Sequence, residues 1–148
     1  MKVKFKRLHE DAVIPSYAKP GDAGLDLTTV TDGFGADKYI QYKFGLACEI
    51  PEGYVGLIFP RSSISKIDLI LSNCVGVIDS GYRGEIQVRF KNTIIFRNRC
   101  EISGDIYKKG DKIAQMIIMP YPTIEPEWAE TLTDTDRGTG GFGHTDSL

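Results

Sequence analysis

A chain of 148 residues has the size of one domain that buries roughly two-thirds of its unfolded surface. Its net charge of −2 provides no overall basic field, which argues against nucleic acid as a partner. The three cysteines, Cys48, Cys74 and Cys100, are well separated and argue against a zinc site or a disulfide framework, so we expect a reducing, cytoplasmic location. No signal peptide and no membrane span are predicted, because no apolar run is long enough.

Strands separated by turns are predicted for the first 60 residues. Val3 and Phe5 alternate with lysines, which is typical of a strand with one wet face. A loop rich in proline and glycine leads into the extended segment 25–27, which carries Asp26. We then predict one long strand over 39–50 and a short apolar strand over 55–59 that ends at a proline.

Serines follow directly after that strand, in the segment Arg61-Ser62-Ser63. Serine is a good helix N-cap, so a short helical turn is predicted over 62–68. Its free N–H groups and hydroxyls suit an anion. A plain cap on a surface turn is the alternative.

The segment 75–86 combines a carboxylate, an aromatic ring and a guanidinium with glycines at 76, 81 and 84. This composition favours a tight hairpin that holds a small polar ligand against its own backbone. Asp79 is its one carboxylate placed to act as a base. An ordinary turn, with Asp79 hydrogen-bonded to its own backbone, is the alternative.

The next segments are also predicted to be extended. Apolar and polar residues alternate over 86–90, which predicts a half-buried strand. Residues 91–107 are interpreted as a further strand pair. In the strand predicted over 112–119, Gln115 lies on the same face as two isoleucines, so its amide needs a partner, either a ligand or a neighbouring backbone group. One last short strand is predicted over 127–132.

The tail from Thr133 to Leu148 is polar and rich in glycine. On composition alone it would be disordered, because it has almost nothing to bury. Arg137 and Phe142 nevertheless lie among glycines, which suits a flexible arm that closes over a phosphate and a base. With one short helix and many strands, the chain as a whole is predicted to be an all-β barrel or sandwich.

Five of these segments, in this order and spacing, resemble the motifs of the homotrimeric dUTPases along nearly the whole chain. The matching segments are Ala23-Gly24-Leu25-Asp26-Leu27, Pro60-Arg61-Ser62-Ser63, Gly76 to Glu85, Lys109 to Gln115, and Arg137 to Gly143. The resemblance implies a jelly-roll-like β-barrel domain over 1–132 and a C-terminal arm over 133–148. It also implies a homotrimer whose arms are exchanged between subunits and whose active sites are shared.

The implied reaction is hydrolysis of dUTP to dUMP and pyrophosphate with Mg²⁺, which lowers dUTP and supplies dUMP for thymidylate synthesis. Asp79 would be the general base, Tyr82 would pack under the deoxyribose, and Asp26 would hold a water of the Mg²⁺ shell. The remaining residues that the resemblance implies for substrate binding are Arg61, Ser62, Ser63 and Gln115 for phosphate, Asn73, Gly76, Val77 and Ile78 for uracil, and Arg137, Gly141, Phe142 and Gly143 in the arm.

Two features depart from the family pattern. The arm continues as His144-Thr145-Asp146 instead of small residues, and the segment 91–107 is longer than the usual link.

A dCTP deaminase of the same fold is the nearer alternative, but Arg89 stands where that family has its glutamate base. The other alternative is a trimeric nucleotide-binding regulatory protein, with a partner surface on 91–107.

Overall fold

The computed structural model describes residues 1–35, 39–93 and 106–141, and this part of the chain is almost entirely strand and loop. The strands are β1 (Lys4–Arg7), β2 (Leu25–Thr28), β3 (Ile40–Lys43), β4 (Leu46–Glu49), β5 (Tyr54–Pro60), β6 (Leu69–Leu71), β7 (Gly76–Ile78), β8 (Gln87–Asn92) and β9 (Lys112–Pro120). A single 3₁₀ turn over Ser62–Lys66 is the helical element of the described residues. The predicted all-β class is therefore confirmed.

The described strands form three antiparallel sheets. One contains β1 and β4, the second has the order β2-β9-β5-β7, and the third has the order β3-β8-β6. In the second sheet β9 is paired on both edges, with Gln115 opposite Asp26 of β2 and Phe59 of β5. β9 is thus the strand that brings β2 and the end of β5 together.

The core is built from the inward face of each strand, as period-two alternation requires. β8 shows the pattern most clearly, because its residues alternate strictly between exposed and buried. The rings of Tyr42, Phe90 and Tyr107 pack with their centroids 5.8 to 6.0 Å apart, and Tyr42 is completely buried. Other fully buried side chains include Phe44, Leu27, Ile58, Ile86, Ile113 and Met116.

Three predictions about the elements were wrong. The strand predicted over 39–50 is two strands, because Gly45 has a φ of +62° and interrupts the extended backbone between β3 and β4. The segment 75–86 is not a paired hairpin: β7 pairs with β5, whereas β8 pairs with β3 and β6. Residues 127–132 form no strand.

Two further features bear on the sequence analysis. The predicted turn after Pro60 is present, although it is a 3₁₀ turn that ends at Lys66. Most of the strand pair predicted over 91–107 lies outside the described residues. In the described part, Cys48 and Cys74 are free thiols, and no helix has the length and apolar character needed to cross a membrane.

Burial raises the pKa of Tyr42 to about 12, and its hydroxyl donates a hydrogen bond to the carbonyl of Tyr107 over 3.3 Å. Between pH 10 and 12 the unfolded chain therefore loses this proton while the folded chain keeps it, so stability falls as the pH rises. We expect this group to remove about 2 to 3 kcal/mol from the free energy of unfolding across that interval.

Urea unfolding of the wild type and of Tyr42→Phe at pH 8 and pH 11.5 measures this contribution. The phenylalanine variant is expected to be less stable at pH 8 but to lose less stability at high pH. Tyr17→Phe, at an exposed position, is the matched control and should follow the wild-type profile. Equal losses in Tyr42→Phe and the wild type would contradict the prediction.

Candidate active site

A cavity of about 540 Å³ lies between the free edge of β7 and the start of β8. This volume is in the range typical of small-molecule sites. We call it the β7–β8 cavity. Its lining includes six predicted site residues, Asn73, Gly76, Val77, Ile78, Asp79 and Tyr82, and also Ile58, Ser72, Glu85, Gln87, Val88 and Arg89.

The turn after β7 is held by its own hydrogen bonds. The backbone N–H of Tyr82 donates to the carbonyl of Asp79 over 3.1 Å. Arg83 folds back over the turn, and its Nη1 donates to the carbonyls of Ser80 at 2.6 Å and Tyr82 at 2.9 Å. This bracing leaves the carboxylate of Asp79 exposed at the edge of the cavity.

A second cavity, of about 310 Å³, lies where β2 and β9 meet the segment after β5. We call it the β2–β9 cavity. Its lining contains four predicted site residues, Asp26, Arg61, Ser62 and Gln115, with Ala18, Asp22, Ala23, Gly24 and Ile117.

Two cations flank the buried carboxylate of Asp26, which is only 8% exposed. Arg61 Nε lies 2.9 Å from Oδ1, and Lys112 Nζ lies 2.9 Å from Oδ2. The contact with Lys112 is an ion pair without hydrogen-bond alignment. Arg61 Nη1 also donates to the carbonyl of Lys112 over 3.3 Å, so the guanidinium is oriented from two sides.

The amide of Gln115 lies directly beside this ion-pair cluster. Its Nε2 donates to the carbonyl of Pro60 over 3.1 Å, so a neighbouring backbone group is one partner of the amide. An added Cβ on Gly24 would lie 2.4 Å from Gln115 Oε1, so the amide packs against a position that only glycine leaves open. Ser63 Oγ is buried and has no hydrogen-bond partner in the part of the chain that the structure describes.

The predicted arm residues that the structure describes, Arg137 and Gly141, line neither cavity. Arg137 and Gly141 are exposed, and Arg137 Nε donates to the carbonyl of Gly140 over 3.0 Å. Phe142 and Gly143, together with His144, lie outside the described residues. Apart from Ser63, the predicted site residues that the structure describes therefore fall into three groups: the β7–β8 cavity, the β2–β9 cavity and the arm.

Sequence reasoning did not assign Lys112 or the outward side chains of β8, Gln87 and Arg89. Lys112 lies three residues before Gln115 in the predicted strand, but only the fold shows that it approaches Asp26. Arg89 Nε donates to Gln41 Oε1 over 3.0 Å, and its guanidinium lies 4.4 Å from the centre of the Tyr39 ring. These contacts place a cation on the wall of the β7–β8 cavity.

Comparison with known families gives a match to the dUTPase family model over residues 10–146. The chain belongs to the dUTPase family. A deoxyuridine 5'-triphosphate nucleotidohydrolase of Hydrogenobaculum sp. is 40% identical over 148 residues, with 98% of this chain and 98% of the relative covered. The dUTPase of Finegoldia magna is 40% identical over 151 residues, with 98% of this chain and 99% of the relative covered.

Solved dUTPase structures share the fold. A mutant dUTPase of Staphylococcus bacteriophage 80alpha with dUpNHpp has a TM-score of 0.81 at 28% identity, with 97% of this chain and 98% of that chain covered. A mutant dUTPase of phage phi11, described as coordinating a structural Mg(II) ion, has a TM-score of 0.74 at 28% identity. The alignment covers 88% of this chain and 98% of that chain. The expected dUTPase-like jelly roll is therefore confirmed.

The donors in the β2–β9 cavity of this dUTPase suit a cation that arrives with phosphates better than a bare ion. Among the described residues, only two carboxylates, Asp22 and Asp26, line the cavity, and no cluster of three or more side chains is suited to metal binding. Mg²⁺ typically keeps several waters and takes one or two carboxylates with substrate phosphates. The residues present therefore fit Mg²⁺ held mainly by a bound triphosphate.

Replacing Asp26 by asparagine tests whether this carboxylate compensates its two cations. The variant leaves Arg61 and Lys112 without their common anion, and both cations are partly exposed, at 33% and 48%. We expect Asp26→Asn to lower the free energy of unfolding by about 1–3 kcal/mol, less than for a fully buried pair.

Urea unfolding measures this loss. Glu49→Gln breaks the ion pair with Lys4, whose side chains are 49% and 77% exposed, and serves as the matched control with a much smaller expected change. Equal stability of Asp26→Asn and the wild type would show that the two cations need no buried partner.

Proposed function

We propose that this dUTPase hydrolyses dUTP to dUMP and pyrophosphate through attack of water on the α-phosphorus. The observation that carries the proposal is the exposed Asp79 carboxylate, which lies with the Tyr82 ring on a 540 Å³ cavity walled by β7. The family and the nucleotide analogue named for the phage 80alpha neighbour support it. We include in this proposal a cytoplasmic location and a role in supplying dUMP for thymidylate synthesis.

The β7–β8 cavity is assigned to the nucleoside. β7 is an edge strand, so its backbone groups on the cavity side are available to the polar edge of a base. Asn73 and the backbone of Gly76, Val77 and Ile78 would pair with uracil there. Hydrogen-bond matching of this kind discriminates more strongly than a missing methylene group does. Tyr82 would pack against the deoxyribose and leave no room for a 2′-hydroxyl.

The β2–β9 cavity is assigned to the phosphates. Arg61 brings a fixed guanidinium, Ser62 a hydroxyl and Gln115 an amide, and Ser63 follows next in the chain, outside the cavity lining. We include Ser63 in this assignment because its buried hydroxyl has no hydrogen-bond partner among the described residues, whereas such a group normally has one. Charge-assisted hydrogen bonds from a guanidinium are well suited to phosphate oxygens.

Asp26 would hold Mg²⁺ through a water molecule at this cavity, and the bound ion would supply neutralisation of the triphosphate charge. The carboxylate already faces the cavity with two cations around it, so its own charge is balanced before substrate arrives. Positioning and charge neutralisation are most of what phosphoryl-type transfer requires of a protein.

Asp79 is assigned as the general base. Its carboxylate accepts a proton from the attacking water while the oxygen of that water forms a bond to the α-phosphorus. The bond from the α-phosphorus to the bridging oxygen breaks, and pyrophosphate leaves with the electron pair. No covalent intermediate with the protein is needed.

Asp79→Asn keeps the size of this side chain and removes its basicity. With Mg²⁺ present, we expect pyrophosphate release from dUTP to fall by about 10²–10⁴-fold, the usual contribution of a general base, while binding of dUTP persists. Asp68→Asn, at an exposed aspartate outside both cavities, is the matched control.

The same assay with UTP, dTTP and dCTP tests the selectivity of the wild type. Hydrolysis of dUTP, and of none of the other three nucleotides, supports the assignment of the β7–β8 cavity to the nucleoside. Wild-type protein that binds dUTP without hydrolysing it would refute the enzymatic proposal, and ammonia released from dCTP would favour the deaminase instead. The family match does not favour that alternative, and Arg89 occupies the position of the deaminase base.

A homotrimer with shared active sites is also part of the proposal. Among the residues that the structure describes, none lines both cavities, and Arg137 lines neither of them. Apolar side chains after β9 are strongly exposed, with Ile124 at 75%, Trp128 at 103% and Leu132 at 87%, which favours their burial against another copy. Arg137 would then meet the γ-phosphate, and Gly141, Phe142 and Gly143 would cover the nucleotide, in a neighbouring subunit's site.

Mixed oligomers test this sharing. Asp79→Asn and Arg137→Ala chains, each expected to have low activity, are co-expressed in equal amounts and assayed for dUTP hydrolysis. If residues 79 and 137 of one site come from different chains, about a quarter of the sites receive both wild-type residues. Activity near a quarter of the wild type is therefore expected. Activity no higher than that of the separate variants would show that one chain supplies both residues.

A regulatory role has no support from the described residues of this chain. Several phage 80alpha dUTPase structures are described as belonging to proteins that control transfer of virulence genes. The partner surface predicted on 91–107 lies mostly outside the described residues.

A further inference from the structure

Gly84 lies unusually close to the ring of Tyr82. An added Cβ at residue 84 would lie 2.4 Å from the tyrosine hydroxyl oxygen, 2.6 Å from Cζ and 2.9 Å from Cε2. The backbone conformation does not itself demand glycine, because Gly84 is not among the residues with a positive φ. The close approach of the ring is therefore what excludes a side chain at this position.

A second contact holds the same end of the ring. The hydroxyl of Tyr82 donates a hydrogen bond to the carbonyl of Glu85 over 3.0 Å. The side chain of Glu85 is in turn paired with Lys43 Nζ of β3 at 3.4 Å, which links this part of the turn to the third sheet. Tyr82 is 42% exposed, so burial alone cannot fix its ring. The backbone of residues 84 and 85 supplies the missing restraint.

We propose that Gly84 is a positioning residue for sugar selection in this dUTPase. By leaving its Cβ position empty, it allows the Tyr82 ring to lie at the edge of the β7–β8 cavity while its hydroxyl is held by Glu85. Gly84 itself does not line the cavity, so it acts on substrate through the ring. The inference rests on the proposed function, because it concerns how dUTP is distinguished from UTP.

An alanine at residue 84 forces the ring to move. Ordinary van der Waals contact begins at 3.4 Å, so the hydroxyl end must shift by about 1 Å. A shift of that size breaks or distorts the hydrogen bond to Glu85, whose length is already 3.0 Å. The wall that meets the sugar is then displaced, and the exclusion of a 2′-hydroxyl weakens.

The experiment compares Gly84→Ala with Gly81→Ala in the same turn. An added Cβ at residue 81 meets nothing within 4 Å, and Gly81 has no positive φ, so it controls for the effect of the methyl group on the chain itself. We measure kcat/KM for dUTP and UTP with Mg²⁺, and the inhibition constants of dUDP and UDP as a comparison by binding alone. The dUTP/UTP ratio is expected to fall by about 10-fold or more in Gly84→Ala and to stay at the wild-type value in Gly81→Ala.

A double-variant comparison shows whether Gly84 acts through the ring. Tyr82→Ala should lower the ratio by itself, and adding Gly84→Ala should lower it no further, because the ring that the methyl displaces is gone. Tyr82→Phe removes only the hydroxyl held by Glu85 and leaves the glycine in place. We expect it to lower the ratio by a smaller factor, which tests the restraint even if Gly84→Ala folds poorly.

Three results would overturn the inference. In the first, Gly84→Ala lowers kcat/KM equally for dUTP and UTP, as expected of a merely structural role. In the second, adding Gly84→Ala to Tyr82→Ala lowers the dUTP/UTP ratio of kcat/KM further. In the third, the ratio is unchanged in Tyr82→Phe. A wild type that does not hydrolyse dUTP would instead refute the proposed function, and this inference with it, before any variant is compared.

Discussion

The register of β9 between β2 and β5 is the constraint on which the candidate site depends. Gln115 lies opposite Asp26 on one side and Phe59 on the other, so its amide reaches both the backbone of Pro60 and the surface of Gly24. A slip of one residue would turn this amide to the other face of the sheet. The register is held by the apolar residues of β9, because Ile113 and Met116 are fully buried. Packing of the core therefore determines where the Gln115 amide lies, although this amide does not itself contribute to the apolar core.

The same strand explains how three charges can be placed close together beside a cavity. Lys112, at the start of β9, reaches Asp26 from one side, while Arg61, just after β5, reaches it from the other. Two cations this close would repel each other without the carboxylate between them. In the proposed function a bound triphosphate would bring further anionic oxygens to the same region, and the cluster would then be stable both before and after substrate binds. The burial of the carboxylate and the partial exposure of the two cations are consistent with that proposal.

The sequence predicted those parts of the fold that depend on local patterns. β8 was predicted correctly because its alternation follows the pleat, and the candidate site residues were named because their types recur in an ordered set of motifs. β6 was missed because three residues are too few to show a period. The separation of β7 and β8 into different sheets, the division at Gly45 and the approach of Lys112 to Asp26 depend on pairing between distant segments. No local pattern encodes those pairings.

Two glycines of the site share one physical role that composition alone does not reveal. An added Cβ at Gly24 would meet Gln115 at 2.4 Å, and one at Gly84 would meet Tyr82 at the same distance. In each case a polar or aromatic side chain at a cavity edge lacks full burial, so neighbouring side chains cannot hold it as a core would. Contact with bare backbone, together with a hydrogen bond to a carbonyl, restrains it instead. Gly81, in the same turn as Gly84, has open space around it and carries no such role. What distinguishes a glycine that shapes the site from one that only permits a turn is therefore the atom that its missing side chain would strike.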